Sequence, residues 1–365
     1  MSKKNSNSGP SAAAARKELD RIDRDLLKLI SDRTRTSQKL AKARQQEGGL
    51  LHDMTEEQSS FRRLLDLNKG PLGEVALQNI WRELQGQARS TVQPQRIAYL
   101  GPKFSYSHLA GIGRFGDSTD LLPLATIKAV FEAVNVGEVN YGIVPIENST
   151  DGRVIDTLDM FARVPLQITA EVQLKIHHNL LGKCVRSQIT EVYSKPQALS
   201  QCRDWLDKNL PNVRTVEVTS TATAAQIAVD KPGAAAVASY EAGLNYGLNV
   251  IDANIEDNKN NVTRFAVIGG EAPKRTGHDK TSVMFAIPHK PGALADAMAV
   301  FKRGRLNMTW IESFPMPNTK NEYLFFVELE GHQSDSKVKS ALAALAKKTD
   351  KLNVLGSYAR SLPAD

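Results

Sequence analysis

Cysteine is almost missing from this sequence of 365 residues, which carries only Cys184 and Cys202. Two cysteines exclude a disulfide framework and any multi-cysteine metal site, allow one bridge at most, and fit a reducing cytoplasm. Long apolar runs are missing too. None approaches the roughly 20 residues needed to cross a bilayer, so a membrane-spanning protein is not expected. The opening MSKKNSNSGPSAAAARKELD is basic but never develops the apolar stretch of a signal peptide, its few alanines being interrupted by Arg16. Blocks of Lys and Arg with interleaved aromatics are absent as well, which argues against a nucleic-acid partner. The formal charge is +7, and residues 1–92 hold 17 Lys and Arg against 12 Asp and Glu, so most of the surplus lies in the first quarter. There the basic residues are scattered among acids along helical patterns, and a small anionic ligand explains them more economically than nucleic acid.

Length alone predicts two or three domains. Residues 1–12 read as a disordered leader. From Ala13 to about Glu47 apolar residues at 19, 22, 26, 29, 30 and 40 predict one long helix, closed by Gly48-Gly49. Thr55 and Gln58 form a capping-box pattern opening a second helix through Leu67. Pro71 suits the first turn of a third helix running to about Ser90. Three helices, one very long, bury their apolar faces poorly alone, so an intertwined dimer is expected. After the linker Gln93-Pro94-Gln95 the pattern alternates between strands and helices, with strand candidates at 97–100, 141–146, 192–193, 213–218 and 234–238. A break near residues 170–180 divides this α/β domain, 96–270, into two lobes flanking a cleft. The polar linker 271–280 leads to a last unit, 281–360, of order βαββαβ, the ferredoxin-like split unit.

Four segments of the α/β domain carry chemistry. YLGPKFSYSHLA at 99–110 ends a strand and opens a helix at Ser107, where free backbone N–H groups with Ser105 and Ser107 make a carboxylate site. Ser220-Thr221 precedes a second helical run. VPIENSTDG at 144–152 places Glu147, Asn148 and Ser149 at a strand's carboxyl end, where ligands of open α/β sheets gather. NVTRFAVI at 261–268 places Thr263 and Arg264 at the head of an apolar strand. In this order, and with HHNLL at 177–181 and YSKPQA at 193–198, these segments resemble the prephenate dehydratase family, departing from it in Phe104, where glycine is common, and in Lys195, where histidine is common.

The resemblance implies lobes of the type II periplasmic-binding-protein kind and a cofactor-free lyase that removes CO2 and a ring hydroxyl from prephenate to give phenylpyruvate, in phenylalanine synthesis. Helix-end donors, an arginine and a proton source suffice for that reaction. Thr263 is implied as the main catalytic residue, donating a hydrogen bond to the departing hydroxyl with a proton relayed from Glu147. Ser105, Ser107, Asn148, Ser149, Ser220, Thr221 and Arg264 are implied as substrate-binding residues. Taken singly, a threonine heading a strand and a glutamate following one are more often ordinary structural residues; the family order raises them together. His177 and His178 lack partners at metal-ligand spacing, and no metal is expected. Gly111-Ile112-Gly113-Arg114-Phe115-Gly116 matches GxGxxG, but it closes a helix instead of following a strand, which refutes a dinucleotide site. A non-catalytic amino-acid sensor is the other rival, and turnover of prephenate separates it.

Residues 13–92 resemble the all-helical chorismate mutase domain fused to many such enzymes. Arg33 and Arg44 fall on the apolar stripe of the long helix, where chorismate or an ion pair with Glu57 would satisfy them. Arg16, Arg33, Asp53 and Glu57 match the family's site residues and Arg44 replaces a lysine, with Arg16 reaching a partner subunit's site. Glu56, Ala88 and Val92 stand where arginine, serine and glutamine are usual, so weak or absent mutase activity is expected; full bifunctionality is the alternative. The last unit resembles an ACT domain, a phenylalanine sensor at a dimer interface, through Gly292-Ala293-Leu294 and Glu312-Ser313, with Phe314 in place of arginine. The whole is then a homodimer or dimer of dimers with L-phenylalanine as effector.

Overall fold

The computed structural model describes residues 11–47, 54–315 and 323–361. The leader to Pro10, the Gly48-Gly49 helix stop and Asp53 lie outside the described residues, as do the side chains of Thr55 and Gln58. The chain opens with three helices, α1 (Ala12–Gln46), α2 (Met54–Leu67) and α3 (Glu74–Val92). Ser11 caps α1 by accepting from the Ala14 N–H. Pro71 does not start the third helix: Gly73 is its N-cap and the proline lies in the preceding connection.

The α/β part follows as β1 (Arg96–Leu100), α4 (Tyr106–Phe115), β2 (Asp120–Leu124), α5 (Ile127–Asn135), β3 (Tyr141–Asn148), β4 (Gly152–Arg153), α6 (Ile155–Arg163) and β5 (Ile168–Lys175). The chain then enters a second lobe: β6 (Asn179–Gly182), β7 (Glu191–Ser194), α7 (Pro196–Gln201), α8 (Arg203–Asn209), β8 (Arg214–Glu217), α9 (Thr221–Asp230), β9 (Ala234–Ala238), α10 (Tyr240–Asn245) and β10 (Asn249–Asp252). It returns to the first lobe through β11 (Val262–Ile268). The first sheet has the order β2-β1-β3-β11-β5 with β4 added to β3, and the second has the order β10-β6-β9-β7-β8. The strand β9 is five alanine and valine residues, all buried, and α9 brings further alanines onto it. Alanine is a poor strand former, but small side chains let helix and sheet approach closely, and packing overrides propensity here. Cys184 and Cys202 both lie in this lobe as free thiols.

The last unit is β12 (Asp279–Ala286), α11 (Ala293–Gly304), β13 (Met308–Pro315), β14 (Tyr323–Glu330), α12 (Ser336–Ala346) and β15 (Lys351–Ala359). Its antiparallel sheet runs β13-β14-β12-β15, the split βαββαβ arrangement. One face packs on the two helices through Val283, Phe285, Phe301 and Leu345. The other face shares a core with the first lobe, where Met284, Phe314, Leu324, Phe326 and Tyr358 join Phe131, Phe161 and Ile168. Phe326 lies 5.8 Å from Phe161 and 6.0 Å from Trp310, centroid to centroid, and is 1% exposed. Phe326→Ala is expected to destabilise this junction by about 3–5 kcal/mol. A denaturant titration following Trp310 fluorescence measures it, and an unchanged midpoint would contradict a shared core.

Candidate active site

A cleft of 710 Å³ lies between the two lobes. Its first-lobe wall begins at the N-terminus of α4, where Ser105 is the N-cap, accepting from the His108 N–H and donating to the Leu100 carbonyl. The facing wall presents the N-terminus of α9, whose N-cap Ser220 accepts from the Thr223 N–H at 3.0 Å. Ser105, Ser107, Ser220 and Thr221 all line the cleft, so two helix N-termini, partial positive charges with unpaired N–H groups, face one space from opposite lobes. Lys195, the N-cap of α7, adds a full positive charge. Phe104 holds φ at +65°, the left-handed region that favours glycine, and its ring packs edge-on against His108 and Tyr246.

The floor comes from β3 and β11, which pair antiparallel with Thr263 opposite Asn148. Side chains alternate along a strand, so Asn148, Thr263 and Phe265 face the cleft while Glu147 and Arg264 face the other side. Glu147 and Arg264 are therefore not brought to the cleft, contrary to the roles expected for them as proton relay and carboxylate ligand. They pair with each other at 2.6 Å against the C-terminal sheet. Ser149 is displaced as well: its hydroxyl donates to the Asn260 carbonyl and accepts from the Val262 N–H at 2.9 Å, fastening the loop after β3.

Hydrogen-bond polarity fixes what Thr263 can do. The Asn148 amide oxygen accepts from the N–H groups of Thr150 and Asp151 at 2.9 and 3.2 Å, which orients its NH2 toward Asn261 Oδ1 at 3.0 Å and Thr263 Oγ1 at 2.8 Å. Because Thr263 Oγ1 accepts that proton, its own O–H is left to donate toward a ligand. The chain continues from Asn261 Nδ2 to Gln201 Oε1 at 3.0 Å, and from Gln201 Nε2 to Asp151 at 2.7 Å, tying α7 of the second lobe to the first. Gln197 donates to the same carboxylate. His178 Nε2 lies 2.9 Å from the accepting Gln201 oxygen and must carry a proton, while its Nδ1 faces the Tyr106 hydroxyl at 3.2 Å. Burial pushes the His178 imidazole below its ordinary pKa and the Tyr106 phenol well above, so both are neutral near pH 7. Of these residues Tyr106, Asp151, His178, Lys195 and Asn261 lie within the family-like segments of the sequence, although Tyr106, Asp151 and Asn261 were given no role there; Gln201 lies outside those segments.

With this geometry in hand, the sequence matches the family Prephenate dehydratase over residues 97–273 and Chorismate mutase type II over residues 15–91. A bifunctional chorismate mutase/prephenate dehydratase of Aquifex aeolicus (strain VF5) is 41% identical over 95% of this chain and 97% of its own length. The chain belongs to the bifunctional chorismate mutase/prephenate dehydratase family. A second bifunctional relative, from Stutzerimonas stutzeri, is 38% identical over 96% of this chain and 98% of its own. The solved prephenate dehydratase of Arthrobacter aurescens in complex with L-Phe is 33% identical, covers 73% of this chain and 90% of that one, and superposes with a TM-score of 0.69. The helical region is thus a chorismate mutase domain and the α/β part a prephenate dehydratase domain, a lyase.

The mutase domain holds a cavity of 140 Å³ lined by Arg33, Arg44, Arg89, Glu56, Glu57 and Val92 among others. The chain's own carboxylates occupy two of its three cations: Arg44 pairs with Glu56, and Arg89 with Glu57. Glu57 therefore pairs with Arg89, which the sequence reading had passed over, and not with Arg33 or Arg44. Arg33 stacks over Trp81 at 4.3 Å and donates to the Leu84 carbonyl at 3.2 Å. Arg16, near the start of α1, is exposed and does not line this cavity. In the last unit Gly292, Ala293 and Leu294 line a 340 Å³ cavity with His289, Lys290 and Tyr323. Glu312 and Ser313 lie outside it, and Glu312 instead meets Arg153 of the dehydratase domain at 2.7 Å.

The depressed His178 pKa carries a pH prediction. A buried neutral histidine binds its proton more weakly folded than unfolded, so it contributes stability above the unfolded value of about 6.5 that is lost as pH falls below it. Buried His108, also pushed down by burial and by Lys103, acts in the same direction. Thermal melts between pH 7.5 and 5 are expected to show falling stability, and His178→Gln is expected to flatten the slope.

Proposed function

We propose that prephenate is held between the two helix N-termini and aromatised to phenylpyruvate with Thr263 as the hydrogen-bond donor to its departing hydroxyl. The observation that carries this is the polarity of the Asn148–Thr263 bond, which leaves the threonine proton for the ligand. The dianionic substrate meets the α4 end with Ser105 and Ser107 on one side and the α9 end with Ser220 and Thr221 on the other, each helix end contributing typically 0.3–1 kcal/mol. Lys195 adds its charge, and Asn148 orients the donor. Glu147, Ser149 and Arg264 are given no contact with substrate. No cofactor is needed, because aromatisation and loss of CO2 drive the reaction and general-acid assistance lowers its barrier. The two-lobed shape with a cleft at the crossing strands supports the likeness to periplasmic-binding-protein lobes. Thr263→Ala is expected to lower dehydratase turnover about 10²- to 10⁴-fold with the fold intact. Measured as phenylpyruvate formation, near-full turnover in that variant would remove the threonine from the chemistry.

The mutase domain we read as weak or inactive, kept mainly for dimerisation. Glu56 and Glu57 already neutralise Arg44 and Arg89, and apolar Val92 stands in the cavity wall. Leu19, Leu26, Leu27 and Leu29 are all about half exposed or more on α1, an apolar stripe that suits a second copy of this chain. Arg16 lies roughly 25 Å along the helix from Arg33 at about 1.5 Å per residue, so it can serve only a partner's cavity. A homodimer or dimer of dimers follows, in a reducing cytoplasm that suits two unpaired thiols.

The last unit we assign as an ACT domain through which L-phenylalanine acts, supported by its strand order and by the relative solved with L-Phe bound. With Gly292, Ala293 and Leu294 at one cavity and Glu312 and Ser313 outside it, a complete effector site requires two copies. Saturating phenylalanine is expected to lower turnover and raise the thermal midpoint. Chorismate offered alone is expected to yield phenylpyruvate far more slowly than prephenate does. Equal rates would establish a competent mutase, and indifference to phenylalanine in both turnover and melting would remove the effector.

A further inference from the structure

Behind the cleft, on the opposite face of β11, lies a buried group of charges that the chemistry above does not use. The Arg264 guanidinium reaches Glu147 of β3 at 2.6 Å, Glu171 of β5 at 3.1 Å and both carboxylate oxygens of Glu328 of β14 at 2.7 Å. Lys280 of β12 reaches Glu328 at 3.0 Å and also pairs with Glu171. The side chains of Glu171, Glu328 and Lys280 are 1%, 2% and 6% exposed, so two carboxylates and a lysine are shut away between two domains, with Arg264 and the partly exposed Glu147 at their edge. Trp310 lies under the guanidinium at 5.5 Å, and the Tyr358 hydroxyl donates to Glu328 at 3.3 Å. Burial alone would lower the Arg264 pKa, but Glu328 and Glu171 outweigh it and hold the guanidinium above its ordinary value. Burial likewise opposes ionisation of Glu171, and Lys280 and Arg264 reverse it.

Ion clusters of this kind are poor stabilisers, because desolvation cancels much of the attraction and an apolar replacement of similar volume often does as well. What such a cluster supplies is fixed geometry. Arg264 follows Thr263 directly in the chain, about 3.8 Å away between Cα atoms. The ladder to β3 is irregular between Arg264 and Phe265, a place where a strand can re-aim its side chains. Clamping Arg264 to another domain therefore sets how far the Thr263 hydroxyl projects into the cleft.

We propose that Glu328 and Lys280 of the C-terminal sheet are positioning residues for the dehydration step, acting through Arg264 on Thr263. The proposal rests on Thr263 being the donor. The variant Glu328→Gln tests it, because two carboxylates then face two cations and no uncompensated buried charge hinders folding. Its kcat for prephenate is expected to fall about tenfold, in keeping with the cost of a sub-ångström misplacement, while KM stays within about twofold. Glu328→Asp, which keeps the charge, is expected to recover part of the loss. In a Thr263→Ala background the same Glu328→Gln change is expected to cost nothing further, since the hydroxyl it positions is gone.

Wild-type kcat in a folded Glu328→Gln variant overturns the proposal, as does an equal loss in both backgrounds or an effect on KM alone. Each of those outcomes leaves the donor assignment standing; wild-type turnover of Thr263→Ala by itself removes both. Should Glu328→Gln fail to fold, Tyr358→Phe loosens Glu328 by one hydroxyl, and kcat is expected to drop about twofold at unchanged KM. An unchanged kcat there counts against the proposal equally.

Discussion

Strand β11 is paired along both edges, to β3 and to β5, and everything else about the dehydratase domain depends on that double pairing. A strand held on two sides cannot slip by one residue without moving its whole side-chain set to the other face. With the register fixed, Thr263 and Phe265 are committed to the cleft and Arg264 to the back of the sheet. The neighbouring strand obeys the same rule, so Asn148 reaches Thr263 while Glu147 reaches Arg264. One short antiparallel contact thus separates the groups that can touch a ligand from those that hold the domains together.

Charge is distributed on the same plan. Arg44, Arg89 and Arg264 are each satisfied by glutamates of this chain, whereas Lys195 and the α4 and α9 ends face the cleft. Lys195 makes no ion pair with another residue among the described residues. A cation already answered by a buried carboxylate has little attraction left for a ligand, since displacing that carboxylate would strand a charge in a poorly solvated place. The dehydratase cleft keeps Lys195 without a carboxylate partner among the described residues, whereas two of the three cations of the mutase cavity are answered by its own acids and the third, Arg33, stacks on Trp81.

Local signals made much of this legible in the sequence. The serine-headed helices after β1 and at Ser220, the alternation of the last unit and the long helix of the first were readable because each is written in neighbouring residues, although the helix read as opening at Ser107 is capped two residues earlier by Ser105. The strands β2, β4, β5, β6 and β10 were not read. In β2, Pro123 interrupts the pattern, as an edge strand tolerates. In β5, Glu171 sits inside an otherwise buried strand, and its partner Lys280 is in a different domain. Arg264 was misread for the same reason: its neighbours Thr263 and Phe265 announce a site, but nothing local announces that a second sheet covers the other face. Arg89 was missed because its role depends on Glu57 of another helix and on the Phe115 carbonyl at the end of α4, 2.9 Å away.

The second lobe is inserted into the first, leaving after β5 and returning before β11. The braces between domains start elsewhere: Arg89 of α3 to the Phe115 carbonyl of α4, Arg153 to Glu312, Gln173 to Ser361 and Arg264 to Glu328 all grip the first lobe. Helices on one flank and a sheet on the other make that lobe an anvil. The inserted lobe joins the first through two stretches of chain, and the amides of Gln197 and Gln201 on Asp151 add a polar tie between the lobes beside the cleft, so a single carboxylate of the first lobe meets two side chains of α7.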